Sequence, residues 1–391
     1  MEKFTIIVPT KDRCATLRHT LQTCLNQTYE NFEVLVSDNC SQDETSQVVS
    51  ELSNPKLRYV RTPRPLSMSE NFEFALGHVN DGFVIFIGDD DGLYPDAVAR
   101  AAAISSKFNV KVIAGKTSTY IWPDFPDESI RDAAWIGMYR KGVELRRSLS
   151  WIQKTIDFKY KYCFDLPSVY CGFVHISVLN KSRTVDGRYF NSITPDAYSA
   201  FATAFSVSTY AYSHQPLVIA GSSARSNGAS QMREKVNSSE ADDYVSKVDL
   251  KLAEGFVYCP GFESILYEAL YKYLELFPEN KSKLKIPLRR MFEISLGEVN
   301  SKTRVQVESA VMQMCKNFNV SYEGLKPRKF PLFQMQLRRS PYLMLALLNN
   351  YPYGIKNASR QGIRNIYDAT LFMHALVNRR AHSLASKFLS L

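Results

Sequence analysis

The first 115 residues alternate between two hydrophobic periods, and no other property of the chain restricts its fold as much. Short β-branched or aromatic runs (Phe4–Val8, Glu33–Ser37, Leu57–Arg61, Phe83–Ile87, Lys111–Ala114) are separated by amphipathic stretches at about Ala15–Leu25, Glu44–Leu52, Glu70–Val79 and Pro95–Ser105. Strand-length runs joined through helices require βα crossovers, and hence a mostly parallel sheet flanked by helices. Three such units and a fourth strand match the first half of a doubly wound, Rossmann-like α/β sheet, in which strands one and four become neighbours where the winding reverses. Ligands bind at the carboxyl ends of that pair.

Periodicity fades over residues 116–165, which are rich in Trp, Tyr, Asp and Lys and suit an insertion or a face turned to an acceptor. A strand signal returns over Val169–Leu179 and Tyr210–Ala220, with a helix near Asp196–Ser206 between them. Gly221–Ser239 reads as a mobile polar loop. Beyond about Tyr244 the pattern is helical, with proline breaks, so a boundary is expected near 240–250.

Charge is distributed unevenly along the chain. Residues 326–391 carry eleven Lys or Arg against one acid, Asp368, which more than accounts for the formal net charge of +9. The seven cysteines are scattered and nowhere form a CxxC pair, so neither a disulfide framework nor a zinc cluster is expected, and a reducing cytoplasmic setting is. The start of the chain runs directly into a strand with no charged and apolar leader. The longest apolar runs, Phe83–Ile87 and Leu343–Leu348, fall far short of the roughly 18 to 20 residues that cross a bilayer as a helix.

Gly88-Asp89-Asp90-Asp91-Gly92 ends the fourth strand. Adjacent carboxylates repel one another unless a cation, an arginine or a proton intervenes. A hard divalent ion such as Mg²⁺ or Mn²⁺ meets that need and can also bridge two phosphates of a nucleotide. Acids here can equally serve the amino end of the helix that opens at Pro95. Strand one delivers Pro9-Thr10-Lys11-Asp12-Arg13 and strand two Asp38-Asn39-Cys40-Ser41 to the same rim. Each taken alone is an ordinary βα turn with a helix cap.

Taken together, Val8–Arg13, Gln27–Ser41, Ser69-Glu70-Asn71 and Asp89-Asp90-Asp91 with Pro95 resemble family 2 glycosyltransferases of the GT-A fold, over about residues 3–225. The likeness is nearest to bacterial enzymes of O-antigen or capsule synthesis, including the abequosyltransferase-like group. It implies a GT-A domain over 1–245, with a nucleotide-binding half (1–115) and an acceptor half (116–245), followed by a helical, basic region over 246–391. It further implies that Pro9, Thr10, Asp12, Arg13, Asp38, Asn39 and Asn71 hold a nucleotide-sugar donor. Asp89, Asp90 and Asp91 would hold ribose, diphosphate and a Mn²⁺ or Mg²⁺ ion, Asp90 being the first metal ligand and Asp91 its partner. The chain departs from the family at Gly88, where an Asp is common, and at Asn39, where many relatives use an Asp to read uracil. Ser223, Arg225, Ser226 and Ser230 can close over the diphosphate, Arg225 supplying charge; they fit a polar surface loop as well.

An inverting transferase must take a proton from the acceptor hydroxyl as that oxygen attacks. Thr194-Pro195-Asp196-Ala197-Tyr198 resembles the family's base site, which selects Asp196 over its rival Asp186, whose Gly187 neighbour marks a turn. His175 and His214 lie on strand signals and read as structural. Tyr120, Trp122, Trp135 and Trp151 can stack on a sugar or pack in the core.

These readings converge on an inverting glycosyltransferase serving a lipid-linked bacterial glycan. The basic, apolar-interleaved segment 326–391 would meet an anionic membrane at the inner face of the cytoplasmic membrane, with no nucleic acid involved. The alternatives are a nucleotidyltransferase, whose usual Gly-rich phosphate loop is missing after strand one, and a non-catalytic scaffold subunit retaining the fold.

Overall fold

The computed structural model describes residues 1–136, 141–226, 250–299, 303–329 and 354–388, with side chains to 378 in the last stretch. Strands β1 (Phe4–Thr10), β2 (Phe32–Asp38), β3 (Leu57–Arg61) and β4 (Phe83–Phe86) alternate with helices α1 (Cys14–Leu25), α2 (Thr45–Leu52) and α3 (Met68–Leu76). They pair in parallel in the order β3-β2-β1-β4, with Phe4 opposite both Phe32 and Phe83. The expected reversal of winding is therefore present, with β1 and β4 side by side.

Past β4 the sheet becomes mixed. The chain runs through the short β5 (Gly92–Leu93), α4 (Ala97–Phe108), β6 (Val112–Ile121), β7 (Ala133–Trp135), β8 (Val143–Arg147) and α5 (Ser148–Ile156). Then follow β9 (Phe173–His175), α6 (Ile176–Leu179), α7 (Pro195–Ser206) and β10 (Thr209–Ser222). β9 lies antiparallel between β4 and β6, and the 14-residue β10 borders β6, β8 and β5.

The stretch that lacks periodicity in the sequence thus contains three strand segments and α5. Its strands are short or irregular, and too few residues repeat for a period to emerge. Of the signal over Val169–Leu179 only Phe173–His175 is strand. The Ser177 amide donates to His175 Nδ1, and this cap turns the chain into a helical turn.

Alternation along the strands sorts side chains onto two cores. Ile7, Leu35, Val84 and Phe86 face the core that contains α3, α5 and α7 residues. Phe4, Ile6, Val8, Val34, Val36, Ile85 and Ile87 face the one that contains α1 and α4 residues.

Both cores are completed from the C-terminal part. α8 (Phe262–Leu276), α9 (Leu288–Gly297) and α10 (Arg304–Asn317) extend the first, through residues such as Tyr267, Phe292 and Val311. α11 (Ile366–Phe388) extends the second, through Ile366, Ala369, Met373 and Val377. Ile366 and Thr370 approach Gly92 so closely that a Cβ there would lie 2.9 Å from each. β11 (Gly354–Lys356) adds to the sheet beside β7. Apart from β11 the regular elements described in 246–391 are helices, and they share cores with the sheet. The boundary expected near 240–250 lies outside the described residues. No helix among the described residues is long and apolar enough to cross a membrane.

Candidate active site

The carboxyl ends of β1 and β4 bring Thr10 and Arg13 onto the acidic turn. Asp89 is buried, accepting from Thr10 Oγ1 (2.7 Å) on one oxygen and from Arg13 Nη1 (3.1 Å) on the other. Burial raises its pKa, the Arg13 guanidinium opposes that rise, and the Asp90 charge adds to it. Asp91 is also buried and has both carboxylate oxygens engaged. Oδ2 accepts from the Gly88 amide (2.7 Å) and the Tyr170 hydroxyl (2.8 Å), and Oδ1 from the Gly221 amide (2.7 Å). Burial, with the Asp90 charge beside it, nevertheless pushes Asp91 up to about 7.

Asp90 is arranged differently. Its Oδ2 accepts from the Ser223 amide (3.2 Å), the Ser223 hydroxyl (2.8 Å) and the Ser226 hydroxyl, while Oδ1 accepts no hydrogen bond among the described residues. Three carboxylates that are neighbours in sequence thus point to three different partner sets.

The turn backbone is tied down as tightly as its side chains. Trp122 Nε1 donates to the Asp90 carbonyl (3.1 Å) and Thr20 Oγ1 to the Asp91 carbonyl (2.7 Å). Gly221 crosses so near that a Cβ would lie 1.7 Å from the Asp90 carbonyl oxygen. Only glycine permits that approach.

Around this turn the first two βα loops interlock. Asp12 sits at φ +53°, its amide donating to Ser41 Oγ (2.9 Å) and its Oδ1 accepting from the Gln42 amide (2.6 Å). Asp38 accepts from the Ser41 amide (2.8 Å) and the Tyr59 hydroxyl, with Arg61 Nε at 3.9 Å. Asn39, expected at the base, has its amide committed to the chain. Nδ2 donates to the Leu66 carbonyl (2.8 Å), and Oδ1 accepts from the Leu66 amide (2.7 Å) and Thr62 Oγ1 (3.2 Å). Asn71 Oδ1 accepts from Ser37 Oγ (2.7 Å) beneath the same loop. Pro9 is partly exposed at the end of β1.

A reciprocal clasp closes one side. Exposed Arg225 donates from Nη1 to the Asp12 carbonyl (2.6 Å), and Arg13 Nη2 donates to the Arg225 carbonyl. Ser230 lies outside the described residues.

Asp196 occupies the first turn of α7, behind Pro195. Its Oδ2 accepts from the Tyr162 hydroxyl (3.0 Å), and its carbonyl accepts from Ser168 Oγ (3.1 Å). Burial raises its pKa; the Ala197 amide and the Tyr162 hydroxyl oppose the rise. Residues 168–171 connect it to the acidic turn. The Tyr170 amide donates to Ser168 Oγ (3.1 Å) while the Tyr170 hydroxyl holds Asp91, and the Cys171 thiol, raised well above its ordinary value by burial, feels both the Asp91 and Asp196 charges.

The other sequence candidates occupy structural places. Asp186 accepts from Thr184 Oγ1 in an exposed turn, His175 caps α6, and His214 Nε2 pairs with Glu144 at 3.2 Å. Tyr120, Trp122 and Trp151 are buried and Trp135 partly so. The phenols of Tyr59, Tyr162 and Tyr170, each donating to a site carboxylate, have no counterpart in the sequence reading. Among 22 tyrosines no local pattern marks these three.

The donor set fits a divalent ion held by one protein carboxylate. Among the described residues no three His, Cys, Asp or Glu side chains converge on a cation. Asp90 Oδ1 is the open oxygen on the motif, and magnesium-type ions commonly take one or two carboxylates with substrate phosphates and water completing the shell.

The family model described as Glycosyl transferase family 2 matches residues 5–173. The chain is 30% identical over 102 residues to a GalNAc(5)-diNAcBac-PP-undecaprenol beta-1,3-glucosyltransferase of Campylobacter jejuni, a match over 25% of this chain and 33% of that protein. It is 26% identical over 110 residues to UDP-Glc:alpha-D-GlcNAc-diphosphoundecaprenol beta-1,3-glucosyltransferase WfgD of Escherichia coli, over 28% of this chain and 44% of that one. The chain therefore spans less than half the length of either relative. Among solved structures, S. aureus TarS 1–349 in complex with UDP aligns with 18% identity and a TM-score of 0.46, covering 81% of this chain and 89% of that one. Residues 5–173, which carry the β1 loop and the acidic turn, are thus the part of this chain that matches glycosyl transferase family 2.

Proposed function

We propose that the chain is an inverting glycosyltransferase that moves a sugar from a nucleotide-sugar donor to a lipid-linked bacterial surface glycan, of O-antigen or capsule type. The observation that carries this reading is the meeting, at the carboxyl ends of β1 and β4, of the Thr10–Arg13 loop and the Asp89–Asp91 turn, both inside the family 2 match, with Arg225 from beyond it. The Campylobacter and Escherichia relatives, named for undecaprenol-linked substrates, support the choice of acceptor class.

In this mechanism Pro9, Thr10, Asp12 and Asp38 line the nucleotide, Asn39 shapes its wall through Leu66, and Asn71 steadies that wall through Ser37. Arg13 and Arg225 exchange their backbone partners for diphosphate oxygens, which are stronger acceptors for guanidinium. Asp90 Oδ1 would hold a Mn²⁺ or Mg²⁺ ion, with Asp91 keeping the turn in shape. A cation there supplies electrostatic stabilisation of charge on the departing diphosphate. Asp196 takes the proton from the acceptor hydroxyl, and its burial-raised pKa matches it to that task. A single displacement on an α-linked donor then gives a β-linked product.

The test is a thermal-denaturation panel of UDP, GDP, CDP and dTDP with and without Mn²⁺. One diphosphate is expected to raise Tm with the metal and not without it, since a ligand that binds only the folded chain stabilises it by about 2.7 kcal/mol at a hundredfold excess over Kd. Indifference to all four would reject a nucleotide site.

The chain is further proposed to work at the inner face of the cytoplasmic membrane, drawn there by the cations of 326–391. Deleting that segment would strip α11 from the second core, so charge reversal is the cleaner test. Lys329→Glu, Arg338→Glu and Arg339→Glu together should abolish co-sedimentation with phosphatidylglycerol vesicles, each cation near such a surface contributing about 1 kcal/mol. Unchanged partition would discard the membrane role.

A further inference from the structure

The loop between α5 and β9 passes over Asp196 in a backbone conformation that side chains of its type avoid. Phe158 and Tyr162 stand at φ +56° and +49°, the left-handed region that bulky residues rarely occupy. Such strain persists only where the surroundings enforce it, and it clusters at functional sites. The enforcement here is visible. The Tyr162 ring contacts Phe164 (centroids 5.3 Å apart) and Phe262 of α8 (4.9 Å), and Phe158 stacks on Tyr267 of the same helix at 5.6 Å.

The one polar atom of the clamped Tyr162 side chain is its hydroxyl, and that hydroxyl donates to Asp196 Oδ2 at 3.0 Å. The other end of Asp196 is fixed as well, since Ser168 Oγ donates to its carbonyl and the Val169 amide donates to Ser199 Oγ one turn along α7.

We propose that Tyr162 is a positioning residue for Asp196: its hydroxyl anchors one carboxylate oxygen and so sets the plane in which the carboxylate meets the acceptor. This rests on the reading of Asp196 as the proton acceptor. In this role Tyr162 acts through Asp196. A hydroxyl that donates to a carboxylate favours the charged form. Its loss therefore raises the pKa of Asp196 further and loosens its orientation.

Other ionisable groups lie around Asp196. Cys163 from the same loop and Cys171 before β9 both sense its charge, and burial holds both thiols well above their ordinary value. Two carboxylates of helices packed on α7 are bonded elsewhere, Glu268 of α8 to Ser192 Oγ (2.6 Å) and Glu73 of α3 to the Tyr189 and Phe190 amides (2.8 and 2.9 Å), and Glu263, in the first turn of α8, is raised by burial with the Lys161 charge opposing.

Tyr162→Phe keeps the ring and its aromatic clamp and removes only the hydroxyl. In full-length protein carrying ¹³C-carboxyl aspartate, with the Asp196 signal identified by its disappearance in Asp196→Asn, the titration midpoint should move up by about one pH unit, as expected for one hydrogen bond to a charged group. The acidic limb of the pH–rate profile should move with it, measured on a sugar donor carrying the nucleoside diphosphate that the panel selects, while the donor KM stays unchanged. Tyr162→Leu should lower Tm in addition, by opening the clamp. An unmoved Asp196 midpoint in Tyr162→Phe, at unchanged Tm, overturns the proposal. Full turnover in Asp196→Asn instead overturns the reading of Asp196 itself.

Discussion

Replacement of Asp196 by Asn is expected to cut turnover by about 10² to 10⁴-fold, the usual contribution of a positioned general base, with donor affinity and Tm close to those of the parent. Asparagine is nearly isosteric and can still accept from the Tyr162 hydroxyl, so α7 and its contacts persist. What is lost is a group able to hold the acceptor proton. Steady-state rates with varied donor and acceptor check this: the loss should fall on kcat and leave the donor KM in place. A variant within a factor of three of the parent would mean that another residue takes the proton.

A comparable loss, about 10² to 10³-fold, is expected for Asp90→Asn, on the scale of removing one preorganised electrostatic contact from a site of developing charge. The profile should differ from that of Asp196→Asn. Neutralising Asp90 keeps an acceptor for the Ser223 and Ser226 donors but weakens any cation held at Oδ1, so the metal-dependent rise in Tm with the preferred nucleoside diphosphate should vanish as well. Donor affinity and turnover then fall together. Isothermal titration of the diphosphate with and without Mn²⁺ separates the two effects. Metal-dependent binding that survives in Asp90→Asn would move the cation to another residue.

Much of this site is legible before any folding. Three adjacent acids at the end of the fourth apolar run, beside the loop that ends the first, are local facts of the chain, and the reversal of winding follows from counting βα units. The assignments within the motif are not local. Asp90 has an open oxygen because Ser223 and Ser226 take only its other one, and Asp91 has none because Tyr170 and Gly221 meet both of its own. Those partners lie about 80 to 130 residues away in sequence. Asn39 shows the converse: its place in the motif points to the nucleotide base, while the folded chain spends its amide on Leu66.

The C-terminal region divides in the same way. The apolar stripe Ile366, Ala369, Met373 and Val377 is readable as one buried helix face at a spacing of three to four residues. That it covers α1 and β5 is visible only in the structure.

The sequence by itself determined the alternation of strands and helices, the parallel order of β1 to β4, the rim on which the acids gather and the basic excess beyond residue 326. Each of these depends on periodicity, crossover geometry or counting, which act over a few residues or follow from chain order alone. The tertiary structure decided which oxygen of which aspartate stays open, which tyrosines hold the acids, and what α11 covers. Those depend on hydrogen-bond partners and packing surfaces that meet only when distant segments close on one another.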